Sequence, residues 1–168
     1  MIEIREATSN DIPLIQELAH QVWYITYGPL QPKEKVDYLY QLMYSTSALT
    51  EQMTIKGHHF LLARDETGYL GYASYEINSK NQGKTKIHKI YVMPNAQGKG
   101  VGKELMNSIS STATKNQNRV LSLNVYRNNP AIQFYQKIGF TKAGEEKIDV
   151  GNGFVMDDFV MEKVILNL

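Results

Sequence analysis

Residues 94–106, PNAQGKGVGKELM, set Gly98, Gly100 and Gly102 at alternate positions between a strand-like run, KIHKIYVM, and a helical pattern of Val101, Leu105, Ile109 and Ala113. Glycine costs order wherever it sits, so three in five positions mark a loop whose amides must approach something closely. An anion is the natural guest, because amides at the start of a helix are unpaired donors at the positive end of its dipole. Neither common phosphate motif fits. A dinucleotide fingerprint starting at Gly98 needs its third glycine at 103 rather than 102, and Gly102-Lys103 is followed by Glu104 where a Walker loop needs Ser or Thr. On this motif alone, a turn that merely caps a helix is an equal alternative.

The chain is 168 residues with 42% hydrophobic content, enough for one compact domain spanning 1–168. Its 18 basic and 17 acidic side chains are interspersed, so no strong field favours a nucleic-acid backbone or an anionic membrane surface. There are no cysteines, which excludes disulfides, a thiol nucleophile and thiolate metal sites. The N-terminus is already alternating and charged, and no apolar run reaches about 18 residues. These features predict a soluble protein of the cytoplasm.

Periodicity orders the elements. Residues 2–6 alternate as a strand, and Thr8 with Asp11 forms a capping-box pattern before a helix carrying Ile12, Ile15, Ala19 and Val22. A second helix carries Val36, Leu39, Tyr40 and Met43, and a third runs from about 47 to 56. Strands follow at 58–64, 69–78 and 86–93, then the glycine loop and its helix, a strand at 119–126, a short helix after Pro130, and strands at 140–150 and 154–164.

Two motifs make that order specific. Gln97-Gly98-Lys99-Gly100-Val101-Gly102 fits [Q/R]-x-x-G-x-[G/A], and NNPAIQFYQKIGF, residues 128–140, fits N-x-x-A-x-x-x-Y-x-x-x-G-F at Asn128, Ala131, Tyr135, Gly139 and Phe140. Together they resemble the GNAT superfamily of N-acetyltransferases, over nearly the whole chain. The resemblance implies an α/β (α+β) fold: a central mixed, mostly antiparallel sheet of about seven strands flanked by helices, with the fourth and fifth strands splayed apart. It also implies an enzyme that uses acetyl-CoA and no metal.

By the same resemblance, the pyrophosphate of acetyl-CoA would lie on the amides of the loop at Gln97, Gly98, Gly100, Gly102 and Lys103, with Val101 in the same turn; the Lys99 and Lys103 side chains either add charge or are solvated at the surface. The pantetheine arm would pair with strand backbone at Ile90, Tyr91, Val92 and Met93 much as another strand would. Asn128 would contact the cofactor, although Asn at a helix start is also an ordinary N-cap.

Amine acetylation needs a neutral nitrogen and a proton donor for the departing thiolate. Tyr135 matches the family tyrosine in the donor role, with a core aromatic as the alternative. His88 occupies the position where many members carry glutamate, and an imidazole of pKa about 6.5 is a candidate base. A hydrogen-bonded structural histidine is the competing reading. His58 and His59 are adjacent on a strand and point to opposite faces, and His20 has no partner at a matching spacing, so no metal site is predicted.

The acceptor side is expected from the first two helices and the last hairpin. Trp23, Tyr24 and Tyr27 with Asp157 and Asp158 are the candidate residues, since aromatic faces and carboxylates both suit a cation. The segment 23–53 is similar to bacterial polyamine N-acetyltransferases, which implies a polyamine or another small primary amine as acceptor. A peptide or protein N-terminus and a non-catalytic acyl-CoA sensor are the alternatives. A small-molecule partner is expected, with no nucleic acid or membrane, and a homodimer is a possible assembly.

Overall fold

The computed structural model describes residues 1–165. Seven strands form one sheet: β1 (Glu3–Glu6), β2 (His59–Asp65), β3 (Gly68–Glu76), β4 (Lys84–Val92), β5 (Val120–Tyr126), β6 (Thr141–Gly151) and β7 (Phe154–Val164), in the order β1-β2-β3-β4-β5-β7-β6. Only β4 and β5 run parallel; every other neighbouring pair is antiparallel. The mixed, mostly antiparallel sheet with flanking helices is the architecture expected from the sequence. Among the described residues no helix is long and apolar enough to cross a membrane.

Helices α1 (Ile12–Tyr27), α2 (Lys33–Tyr44) and α3 (Thr46–Thr54) cover one face of the sheet, and α4 (Val101–Lys115) covers the other, with α5 (Ala131–Lys137) packed beside it. Adjacent residues of β3 show the two faces. Tyr72 reaches Tyr44 of α2, hydroxyl to hydroxyl at 2.8 Å, while a Cβ on Gly71 would stand 3.3 Å from Val101 of α4. The capping box is present: the Asp11 carboxylate accepts from Thr8 N–H at 2.9 Å, and Thr8 Oγ1 caps the single 3-10 turn that leads into α1. Pro13 sits in the first turn, where its missing N–H costs nothing. Trp23 Nε1 donates to the Val36 carbonyl at 3.0 Å, a buried bond that fixes α1 against α2.

The parallel pairing of β4 with β5 covers only Lys84–Ile87 against Val120–Leu123. Beyond it, His88–Val92 and Asn124–Tyr126 part company, so the expected splay is present. On its other edge β4 stays paired with β3, with a bulge at His88, since Ser74 faces Lys89 and Tyr75 faces Ile87. The extra residue re-aims the side chains that follow it.

Candidate active site

The glycine loop divides its work unevenly. Gly98 and Gly100 have φ of +83° and +82°, a region most side chains avoid, and a Cβ on either would meet nothing within 4 Å. These two are required by backbone conformation, and the space beside their Cα atoms is open. Gly102 is different: it is buried in the first turn of α4, and a Cβ there would come within 3.1 Å of the Phe134 ring. Its smallness lets α5 approach α4. The first helical bond of α4 runs from Glu104 N–H to the Gly100 carbonyl at 3.0 Å, which leaves the Val101, Gly102 and Lys103 amides at the helix start without intrahelical acceptors. Val101 has a buried side chain, whereas Gln97, Lys99 and Lys103 are exposed beside the loop.

The splayed edge of β4 supplies further donors and acceptors. Met93 N–H donates to the Leu70 carbonyl at 2.8 Å, so Met93 and Tyr91 turn their backbone groups toward β3. Because these directions alternate along a strand, Ile90 and Val92 turn theirs toward the gap left by β5. Of the four positions expected to pair with a pantetheine arm, two face the gap. Asn128 is also not the helix cap: that bond is made by Asn129, whose Oδ1 accepts from Ala131 N–H at 2.9 Å. The exposed Asn128 side chain donates to the Tyr126 hydroxyl at 3.2 Å.

Over the splay, on the α1–α2 face, lies a cavity of about 570 Å³. Trp23, Tyr27, Tyr91, His88 and Asp158 are on its wall, joined by Tyr126 and Asn124 of β5. The Tyr27 and Tyr91 hydroxyls are 3.0 Å apart. Asp158 is only 2% exposed. Asn124 donates through Nδ2 to Asp158 Oδ2 at 3.3 Å and accepts through Oδ1 from the Lys86 ammonium. Asp158 Oδ1 is buried with no hydrogen-bond partner, and burial pushes the carboxyl pKa up against the opposing Asn124 bond. An unpaired buried acceptor is costly.

Two expected acceptor residues are elsewhere. Asp157, on the opposite side of β7 from Asp158, is held by Arg127 at 2.9 Å. Tyr24 packs against His20 and Tyr40, with ring centroids 5.3 and 5.8 Å away. Burial, and then Asp37, push its phenol to about 12. Sequence reasoning missed Lys86, Asn124 and Glu146. An asparagine inside the otherwise apolar run VLSLNVY was the available signal for Asn124; Glu146 enters only because the register aligns it with Asp158 and Tyr126 in one row across three strands.

Tyr135 is buried, edge-on to Phe134 and Phe140 at 5.6 and 5.9 Å. Burial, and then the nearby Tyr27 phenol, hold its hydroxyl firmly protonated. His88 Nε2 is 3.0 Å from Glu76 Oε1, and its ring stacks on His58. Burial, followed by Lys89, Lys86 and Lys56, pushes the His88 pKa down to about 3, so the ring is neutral at pH 7. The donor atoms of His58, Glu76 and His88 lie within 4.8 Å of one another. Stacked rings, however, carry their nitrogen lone pairs in parallel planes, and a tetrahedral or facial metal site needs them to converge.

Residues 29–162 match the family of acetyltransferase (GNAT) domains. The chain is 26% identical to a spermidine N(1)-acetyltransferase of Thermoplasma acidophilum, over 96% of each chain. It is 31% identical to the 5-NmdU N-acetyltransferase of Pseudomonas phage PaMx11, over 86% of this chain and 91% of that one. The crystal structure of the PaiA N-acetyltransferase from Thermoplasma acidophilum in complex with coenzyme A superposes with a TM-score of 0.79 at 25% identity, covering 98% of this chain and 99% of that one.

Proposed function

The chain belongs to the GNAT acetyltransferase family, and on that premise we propose that it transfers the acetyl group of acetyl-CoA to a small primary amine seated in the cavity over the splayed strands. The observation that carries this reading is Asp158: a buried carboxylate with one unpartnered oxygen, on a residue that lines the cavity together with Trp23, Tyr27 and Tyr91. Carboxylate and aromatic faces together bind an ammonium and leave little for a neutral or anionic nucleophile. The single sheet, running from Glu3 to Val164, supports reading residues 1–168 as one catalytic domain.

Acetyl-CoA is the co-substrate. Its pyrophosphate would sit on the free amides at the start of α4, and its pantetheine arm on the Ile90 and Val92 backbone across the gap. The bound ammonium first gives a proton to Asp158, whose raised pKa makes it a better acceptor than an ordinary carboxylate. His88, pushed far below neutrality, is the weaker base and fits a positioning role at the cavity mouth. The neutral nitrogen then attacks the thioester carbonyl carbon; the C–N bond forms, the C–S bond breaks, and the thiolate takes a proton from Tyr135, which recovers it from the acetylated nitrogen. A strand amide facing the gap is placed to stabilise the oxyanion.

A polyamine acceptor is the second reading, favoured by the name of the Thermoplasma relative. The test is a thiol-release assay over an amine panel, paired with calorimetry of acetyl-CoA. Binding of acetyl-CoA with amine-dependent thiol release is the expected result; binding without release to any amine would leave an acyl-CoA-binding protein.

A further inference from the structure

We infer that the acceptor carries an acidic group as well as its amine. The inference rests on the reading of the cavity as an amine site and adds the other end of the molecule. The carboxylate and the aromatic rings hold one end of the cavity. The other charged side chains of the wall are mostly basic: Lys35, Lys56, Lys80 and, beside Asn124, Lys86, against Glu146 and Asp158 as its only carboxylates among the described residues.

On the described surface Lys33 pairs with Asp37 and Lys84 with Glu162, both within 2.8 Å. None of the four cavity lysines has a carboxylate within 4.0 Å among the described residues. Lys35 donates to the Val155 carbonyl and Lys86 to Asn124, while Lys56 and Lys80 are exposed at the opening. Their charges are felt nearby: burial lowers Lys86, Glu146 opposes that and Lys80 adds to it, while Lys56 adds to the lowering of His88 and Lys89. Like charges gathered around one opening repel a polycation and draw in an anion.

The pyrophosphate of acetyl-CoA is not that anion. Lys80 precedes β4 and the glycine loop follows it, and nine strand residues place the two ends roughly 30 Å apart. The basic rim and the glycine loop are therefore separate anion sites. An acceptor with its amine at Asp158 and a carboxylate or phosphate at Lys56 and Lys80 satisfies both ends of the cavity.

The experiment uses matched amines at saturating acetyl-CoA: propylamine, β-alanine and 1,3-diaminopropane at one chain length, and ethanolamine against O-phosphoethanolamine. We expect kcat/KM roughly tenfold or more higher for the acidic member of at least one set, the size of a charge-assisted contact. Preference for β-alanine assigns a carboxylate and preference for O-phosphoethanolamine a phosphate; either supports the inference. In the Lys56→Gln/Lys80→Gln double variant the ratio between acidic and uncharged amines should collapse toward one. A parent enzyme that favours the diamine, or treats all members alike, overturns the inference and leaves amine acetylation standing. If no amine of the panel is acetylated while acetyl-CoA binds, small-amine acetylation itself falls and the inference falls with it.

Discussion

The imidazole rings of His58 and His88 lie face to face, with centroids 3.8 Å apart and planes inclined by 13°. They come from the two sides of β3, His58 just before β2 and His88 at the bulge of β4, and both point toward Glu76 Oε1 of β3, at 3.8 and 3.0 Å. Burial pushes both down to about 3, with Lys89 and Lys56 adding to it, and a charged His88 would further repel charge on His58 against the pull of Glu76.

The first prediction follows from that shift. A histidine whose folded pKa is depressed binds fewer protons when folded, so its contribution to stability is whole above the unfolded value of about 6.5 and is lost as pH falls through the folded value near 3. The His88→Gln variant should lose less of its stability than the parent between pH 6.5 and 4 in thermal melts. Its kcat should keep the parent's pH dependence between pH 6 and 8; loss of a limb in that range would reinstate His88 as the base.

Asp158→Asn should separate function from stability. Amide replaces carboxylate at similar volume, so the amine KM should rise tenfold or more while acetyl-CoA affinity is kept, order-of-magnitude losses being usual for a buried charged contact. Because burial raises the Asp158 pKa, the carboxylate opposes folding once pH exceeds the unfolded value, and the variant should melt at a higher temperature at pH 7 than the parent. A variant that is both less stable and fully active would move the ammonium site away from Asp158.

The glycines of the loop should fail in different ways. Gly100→Asp places a side chain and a negative charge at a position of φ +82°, and should weaken acetyl-CoA binding about tenfold or more by calorimetry. Gly102→Ala meets Phe134 at 3.1 Å and should lower the melting temperature through α4–α5 packing, by a cost of about 1–3 kcal/mol, with a smaller effect on acetyl-CoA affinity. Equal affinity losses for the two would mean that the loop is not divided in this way.

Tyr135→Phe keeps the ring against Phe134 and Phe140 and removes only the proton. Single-turnover acetyl transfer should slow by roughly 10²-fold with acetyl-CoA affinity nearly unchanged. Since the phenol is pushed upward, the parent should show no loss of activity from its ionisation up to pH 10. Unchanged single-turnover chemistry would return Tyr135 to the core.

Much of the molecule was written in local sequence. The turn at Gly98–Gly102, the capping box at Thr8 and Asp11, and the periods that mark strands and helices depend on a few neighbouring residues, and a chain with those neighbours can hardly fold otherwise. The order of elements and the two family motifs followed from the same local reading, and the single mixed sheet followed from the resemblance those motifs carry. What only the tertiary structure decided is nonlocal. Alternation along β7 says that Asp157 and Asp158 point to opposite faces, but the register against β5 and β6 decides that Asp158 faces the cavity and Asp157 meets Arg127. His58 has its ring partner thirty residues away in the chain rather than at His59, because a bulge in β4 turns His88 toward it. Lysines from α2, the segment after α3, the turn before β4 and β4 itself converge on one opening only after the sheet is assembled. Charge composition averages such a rim to near neutrality; three-dimensional packing gathers it in one place.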